Sequence, residues 1–344
     1  MGVGGADPSE NKKESSEMGG VWGKKAVKKL EGKIQINTTG FILLDFRSLQ
    51  DIQILLFLFF LMIYILTMAG NLLIVVLVVT DHQLHTPMYF FLGHLSFLEI
   101  CYSSNIIPRM LVSFLTDNHH ISVNACILQL WIFGFLIVAE CYLLTVMSYD
   151  RYVAICRPLH YTFFMNTKFC LQLVAGSFFS SFIMNMIMLT FILQLTFCEH
   201  SVIDHFFCDF IPIVNIACSN VYLIKILSFI LTSICTLPPF SITIVSYAFI
   251  IHAILGISST RGRQKAFSTC SSHLIVVTIF YGTITIVYLL SGTLELQELN
   301  KVFSVFYTIL TPLVNPLIYS LRNKEVKEVL KKAVVKYGKS RNIQ

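Results

Sequence analysis

The chain has 344 residues, of which 55% are apolar and only 13% charged, too greasy and too charge-poor for an ordinary soluble domain of this length. The formal net charge of +6 is unevenly placed along it. No phosphate loop, no His-Glu-x-x-His metal helix and no nucleophile–base pair at a recognised spacing occurs, so nothing looks catalytic, and a membrane bundle is the natural reading.

Residues 1–36 are rich in Gly, Ser, Glu and Lys and lack any apolar run that could act as a signal segment or fold by itself. They read as a disordered basic extension ahead of the apolar body. Asn37-Thr38-Thr39 is a glycosylation sequon, which predicts a sugar on Asn37 if this end reaches the lumen. A helix needs about 20 mostly apolar residues to cross the hydrocarbon core. Such runs lie near 52–79, 87–112, 123–150, 169–193, 221–256, 266–291 and 301–321. The expected fold class is therefore an all-α membrane protein, a seven-transmembrane helix bundle over 37–321. Residues 322–344 form a tail in which Val326, Val329, Leu330, Ala333 and Val334 recur at helical spacing among lysines. That pattern suits a short amphipathic helix lying on anionic lipid.

Charge fixes the expected orientation. Arg151, Arg157, Lys168, Arg261, Arg263, Lys265, Arg322, Lys324, Lys327, Lys331 and Lys332 fall on one side, which the positive-inside rule makes cytoplasmic. The lysines of the amino-terminal tail oppose this, but only Lys33 and Arg47 lie within about 20 residues of the first span, where the rule counts most. The amino terminus is thus expected outside and the carboxyl terminus in the cytoplasm.

Polar groups inside the spans are costly and mark function. Asn71 in the first span must find a partner within the bundle. Pro87 suits the first turn of the second helix, where its missing N–H costs nothing. Arg109, Lys225 and Lys301 lie close enough to helix ends to snorkel, whereas Glu99 and Glu140 do not. Glu140 sits eleven residues before Arg151, about three turns or ~16 Å deeper. Two intramembrane carboxylates need a cation, a shared proton or polar cover, and with Asn71 and Asn315 at the same depth they form a candidate sodium site; the alternative is a pair kept neutral by burial. Pro238-Pro239 should bend the fifth span, and Pro316 leaves a carbonyl one turn earlier without its donor. Of the ten cysteines, Cys126, Cys198, Cys208 and Cys218 fall toward one side of the membrane. They suggest two disulfides, with three connectivities open. His205 beside Cys208 has the look of a metal site, but the cysteines are better used as disulfides in that compartment, and no metal other than sodium is expected.

The run Met147-Ser148-Tyr149-Asp150-Arg151-Tyr152-Val153-Ala154-Ile155-Cys156, expected to close the third span, resembles the end of the third helix in rhodopsin-like G-protein-coupled receptors, and in particular the olfactory (odorant) receptor family. Ser148 stands where that family has Ala. Pro87-Met88-Tyr89, Leu95-Ser96-Phe97-Leu98-Glu99 (Glu99 for the family's Asp), the loop Thr196 to Asp209, Lys265 to Leu274, and Asn315-Pro316-Leu317-Ile318-Tyr319 extend the resemblance over about 37–336.

The resemblance implies much that the residues alone do not. It implies the pairs Cys126–Cys208 and Cys198–Cys218. It implies a pocket for a small, mostly apolar odorant formed by Phe133, Gly134, Ile137, Val138, Leu231, Thr232, Tyr281, Ile284, Thr285 and Tyr288. It also implies an activation switch of Asp150, Arg151, Tyr152, Tyr247, His273, Asn315, Pro316 and Tyr319. Since the sixth span opens with Arg261, Arg263 and Lys265 rather than an acid, Arg151 is expected to be held by Asp150, Tyr247 or His273. The expected partner is a heterotrimeric G protein of the stimulatory olfactory type, raising cyclic AMP at the plasma membrane, with no nucleic acid involved. Two other readings remain: a rhodopsin-like receptor for a non-odorant metabolite, and a seven-helix ion transporter or channel using Glu99 and Glu140.

Overall fold

A computed structural model describes residues 40–44, 52–116, 119–197, 202–289, 294–322 and 326–329. Asn37, Cys198, the extension 1–36 and all but 326–329 of the tail's expected amphipathic helix lie outside them.

The bundle is built from α1 (Gln53–Thr80), α2 (Pro87–Thr116), α3 (Val123–Cys156), α4 (Thr167–Ile192), α5 (Tyr222–Leu255), α6 (Thr260–Ile284, continued by a π-helical turn Thr285–Leu289) and α7 (Leu294–Val305, a π-helical turn Phe306–Leu310, then Thr311–Arg322). Helices α1, α3, α4, α5 and the Asn300–Ile318 part of α7 are long and apolar enough to cross a membrane, and His273–Leu289 adds a shorter apolar stretch in α6. Helix α2 is more polar, with Glu99, Asn105 and Arg109 in its sequence, but it is enclosed by α1 and α3. Large apolar side chains such as Leu58, Ile65, Phe179, Ile230 and Val245 stand exposed along α1, α4 and α5, as a lipid-facing surface requires.

Helix ends follow local chemistry. Ser122 caps α3 through Ala125 N–H, Asn166 caps α4 through Phe169 N–H, and Ser259 caps α6 through Gly262 N–H. Three expectations shift here. Helix α3 runs on to Cys156, so Asp150-Arg151-Tyr152 lies inside the helix rather than closing it; the stop is Arg157, held out of helical conformation by the ring of Pro158. The Ser259 cap starts α6 at Thr260, ahead of the apolar stretch, and α7 likewise begins at Leu294 rather than near 301. Helix α5 stays continuous through Pro238 and Pro239.

Proline in α7 organises the lower half of the bundle. Lacking an N–H, Pro316 cannot satisfy the carbonyl of Pro312, and Asn71 Nδ2 of α1 donates to that oxygen instead at 3.0 Å. Gly70 permits the approach: a Cβ there would meet the Pro316 ring at 3.1 Å.

A small sheet, absent from the expected all-helical fold, roofs the other end. The strands β1 (Gly40–Leu43), β2 (His120–Ser122) and β3 (Val202–Ile203) lie in the order β2-β1-β3, β1 antiparallel to β2 with Phe41 opposite Ile121, and parallel to β3 with Ile42 opposite Val202. Phe41 and Leu43 are buried beneath it. The disulfide Cys126–Cys208 staples the same loop to α3, and Gln129 Oε1 accepts from Cys208 N–H at 3.0 Å beside it. Cys218 is also disulfide-bonded. Lys301 Nζ of α7 closes the roof by donating to Leu44 O and to Asp204 Oδ1 at 2.9 Å.

At Gly40 a Cβ would come within 2.6 Å of the Ile121 carbonyl oxygen. Gly40→Ala is therefore expected to push β1 off β2 and to cost about 1–3 kcal/mol, the usual range for overpacking. Thermal unfolding of the detergent-solubilised protein reads this as a lowered midpoint.

Candidate functional site

Beneath the roof lies a cavity of about 120 Å³ between α3, α4, α5 and α6. Phe133, Gly134, Ile137 and Val138 of α3, Leu231 and Thr232 of α5, and Ile284 and Tyr288 of α6 border it. Their spacing at i, i+1, i+4 and i+5 on α3 keeps one face toward the space. Tyr281 and Thr285 do not border it. Tyr281 instead lies buried below the cavity, where its hydroxyl donates to Cys141 O at 2.7 Å and lies 3.0 Å from Thr145 Oγ1, which itself donates to Pro239 O at 3.2 Å. It thus pins α6 to α3 and α5.

Helical periodicity within the expected set did not find Asn185 or Asp209, the cavity's amide and carboxylate. Asn185 comes from α4, where it packs against Gly134; a Cβ on Gly134 would meet Asn185 Oδ1 at 2.4 Å. Asp209 caps a short helix, Phe210–Asn215, in the loop between α4 and α5. The only signal for it in the sequence was its place directly after Cys208, which the disulfide fixes against α3.

Asp209 belongs to a buried hydrogen-bond chain. Its Oδ1 accepts from Phe210 N–H and from the Tyr288 hydroxyl, each at 2.7 Å. Tyr288 lies 3.2 Å from the Tyr307 hydroxyl, Tyr307 lies 3.1 Å from Ser304 Oγ, and Ser304 lies 3.2 Å from His205 Nε2. Burial pushes the Asp209 carboxyl up to about 6 against the pull of its two donors. Burial, and then the Lys301 charge, push His205 down to about 3, so the imidazole is neutral at physiological pH.

A second polar cluster sits deeper. Glu99, Glu140, Asn71 and Asn315 are all buried, Asn315 Nδ2 donates to Glu99 Oε1, and the two carboxyl groups lie within electrostatic reach of each other. Asn315 therefore bonds across to α2 rather than to its own proline kink. Among the described residues, Glu99 Oε2, Glu140 Oε1, Asn71 Oδ1, Asn315 Oδ1, Thr67 Oγ1 and Ser103 Oγ are buried without a hydrogen-bond partner. Oxygen donors of this kind suit a hard monovalent cation.

At the opposite end of the bundle from the roof, Asp150 Oδ1 accepts from the Tyr161 hydroxyl at 2.9 Å. Burial, together with the Asp150 carboxylate, holds the Tyr161 hydroxyl above its ordinary range, so it remains a donor. Tyr247 of α5 and His273 Nδ1 of α6 are joined at 2.7 Å, stacked 5.7 Å apart. The Arg151 charge bears on Asp150, Tyr247 and His273, while Tyr152 packs beside them against Phe249. Tyr319 lies in α7 near Pro316, but its side chain is outside the described residues. Past α7, Val326 and Val329 of the helical turn 326–329 are buried against the bundle.

The family model described as "Olfactory receptor" matches residues 60–337. The chain is 48% identical over 298 residues to Olfactory receptor 5G9 of Mus musculus, covering 87% of this chain and 95% of that relative. It is 46% identical over 298 residues to Olfactory receptor 9K2 of Homo sapiens, covering 87% and 88%. Olfactory receptor 8D1 of Homo sapiens is 47% identical over 295 residues, covering 86% and 96%.

The Asp209 environment generates a pH-dependent prediction. With a folded value of about 6 against an ordinary 3.8, the folded protein binds more protons than the unfolded chain between those limits, so stability falls as pH rises through that window. Asp209→Asn keeps an acceptor for Tyr288 and Phe210 but removes the charge. It is expected to raise the thermal midpoint most at about pH 7.5 and roughly half as much at about pH 5; an equal shift at both would mean that burial does not oppose the carboxylate.

Proposed function

Because the chain belongs to the olfactory receptor family, we propose that its odorant occupies the cavity between α3, α4, α5 and α6. The protein is an odorant receptor, a multi-pass membrane protein that takes a small-molecule ligand, works through a G-protein partner and is not an enzyme. The observation that supports the placement is the cavity itself, lying under the stapled loop and bordered by residues of four helices. Walls such as Ile137, Leu231 and Ile284 favour a mostly apolar molecule, with a few polar groups to orient it.

A ligand shifts the bundle only by binding its active arrangement better than its resting one. Ile284 and Tyr288 border the cavity on α6, and Tyr281, one turn before Ile284, carries the hydrogen bonds that hold α6 to α3. Pressure on Ile284 and Tyr288 loosens the Tyr281 contacts, α6 swings outward, and the Tyr247–His273 link opens. Arg151 then changes partners, and a cleft forms for the α subunit of a stimulatory, olfactory-type G protein that raises cyclic AMP. In this reading the protein sits in the plasma membrane with its amino terminus outside, where the sheet and the disulfide roof the cavity, and its basic loops in the cytoplasm.

The unpartnered oxygens of Glu99, Glu140, Asn71 and Asn315 would hold a sodium ion, which supplies positive charge between the two carboxyl groups and ties α1, α2, α3 and α7 together in the resting state.

Arg151→Ala, at retained surface expression, is expected to abolish odorant-evoked cyclic AMP; an unchanged response in a reporter cell line would refute the switch. For the cation, the wild-type response is expected to vary with external sodium replaced by choline, and Glu140→Gln to flatten that dependence. Equal sodium curves for the two proteins would remove the ion from the account.

A further inference from the structure

Among the described residues the cavity wall contains an acid and no base. Asp209 borders it, and none of the described Lys, Arg or His residues does. Both of its hydrogen bonds, from Phe210 N–H and the Tyr288 hydroxyl, fall on Oδ1. Among the described residues Oδ2 has no hydrogen-bond partner, and the donors on Oδ1 are neutral. The chain that continues through Tyr288, Tyr307 and Ser304 ends on the neutral imidazole of His205 and brings no positive charge. Lys301 of the roof faces Asp204 and the Leu44 carbonyl, and Lys225 faces Asn215. A buried carboxylate left without a counter-charge is costly, and a bound cation removes that cost.

From this arrangement we infer that the odorant of this receptor is a small primary amine whose ammonium group seats against Asp209 Oδ2, its hydrocarbon body lying along Ile137, Leu231 and Ile284. The inference rests on the reading of the cavity as the odorant site and narrows it. A carboxylic acid would place a second negative charge beside the first. An alcohol donates one hydrogen bond but leaves the Asp209 charge uncompensated. A protonated amine supplies both the donors and the charge, and the apolar walls accept the remainder. The Thr232 hydroxyl on the α5 side offers a further acceptor within the same space.

The test compares n-pentylamine, n-hexylamine, n-octylamine and benzylamine with the alcohols of identical skeleton, on the full chain in cells with a cyclic AMP reporter and on the purified protein by thermal shift. At least one amine is expected to activate and to raise the thermal midpoint of the wild type, with its alcohol about tenfold weaker or more. Asp209→Asn, matched for surface expression, is expected to weaken the amine on the order of ten- to a hundredfold, the range for a lost charge-assisted hydrogen bond, and Asp209→Glu to restore part of it. Silence of every amine, alcohols that equal or surpass them, or an unaltered amine response in Asp209→Asn overturns the proposal. Val138→Trp, which fills the cavity, separates the two levels. If it removes responses to alcohols while Asp209 proves indifferent, the cavity reading stands and the amine falls; if it leaves every response intact, the cavity reading falls as well.

Discussion

The hydrogen bond from Asn71 Nδ2 to the Pro312 carbonyl is the contact on which the lower bundle depends. In hydrocarbon no water replaces a missing backbone donor, so the proline that opens α7 at Pro316 obliges another helix to supply one. Helix α1 can approach that closely because Gly70 presents no side chain to the Pro316 ring. Once α1 is held there, Asn315 on the adjacent turn faces α2 and donates to Glu99, and the Glu140 carboxyl of α3 is brought into the same polar space. One absent N–H thus accounts for the convergence of four helices around two buried acids.

Above and below that cluster the same economy of polar contacts recurs. Tyr281 ties α6 to α3 at Cys141 O, Thr145 beside it ties α3 to α5 at Pro239 O, and Tyr247 ties α5 to α6 through His273 at the far end. The greasy surfaces between these ties supply cohesion without direction, since dispersion and lipid exclusion favour many helix arrangements about equally. The polar ties select among them. A receptor that must occupy two arrangements gains from having few such ties, each within reach of the ligand or of the next one along α6.

Much of this was legible in the residues. The seven apolar runs located the helices, and Pro316 announced an orphan carbonyl while Asn71 announced an unpaired amide. That they answer each other did not follow, because the pairing joins residues far apart in sequence, and only packing brings them together. Spacing along α3 and α5 placed side chains on the cavity face, but Tyr281 fell outside because its hydroxyl reaches the Cys141 carbonyl and turns the ring below the space. Asp209 escaped notice because no periodicity governs a loop; its position is set by the cystine beside it and by Tyr288. The helix ends moved for local reasons, the ring of Pro158 setting one and the Ser259 side chain another. The three strands went unread because each is too short to leave an alternating pattern.

Strand β1 is the middle member of that sheet, bonded on both edges, and Lys301 anchors the residue that follows it to α7. Amino-terminal segment, outer loop and the head of α7 are consequently one mechanical piece. Their amide protons belong to a common opening event, and solvent exchange at the crown is a collective breathing of the roof, gated by whichever of its three seams gives way first.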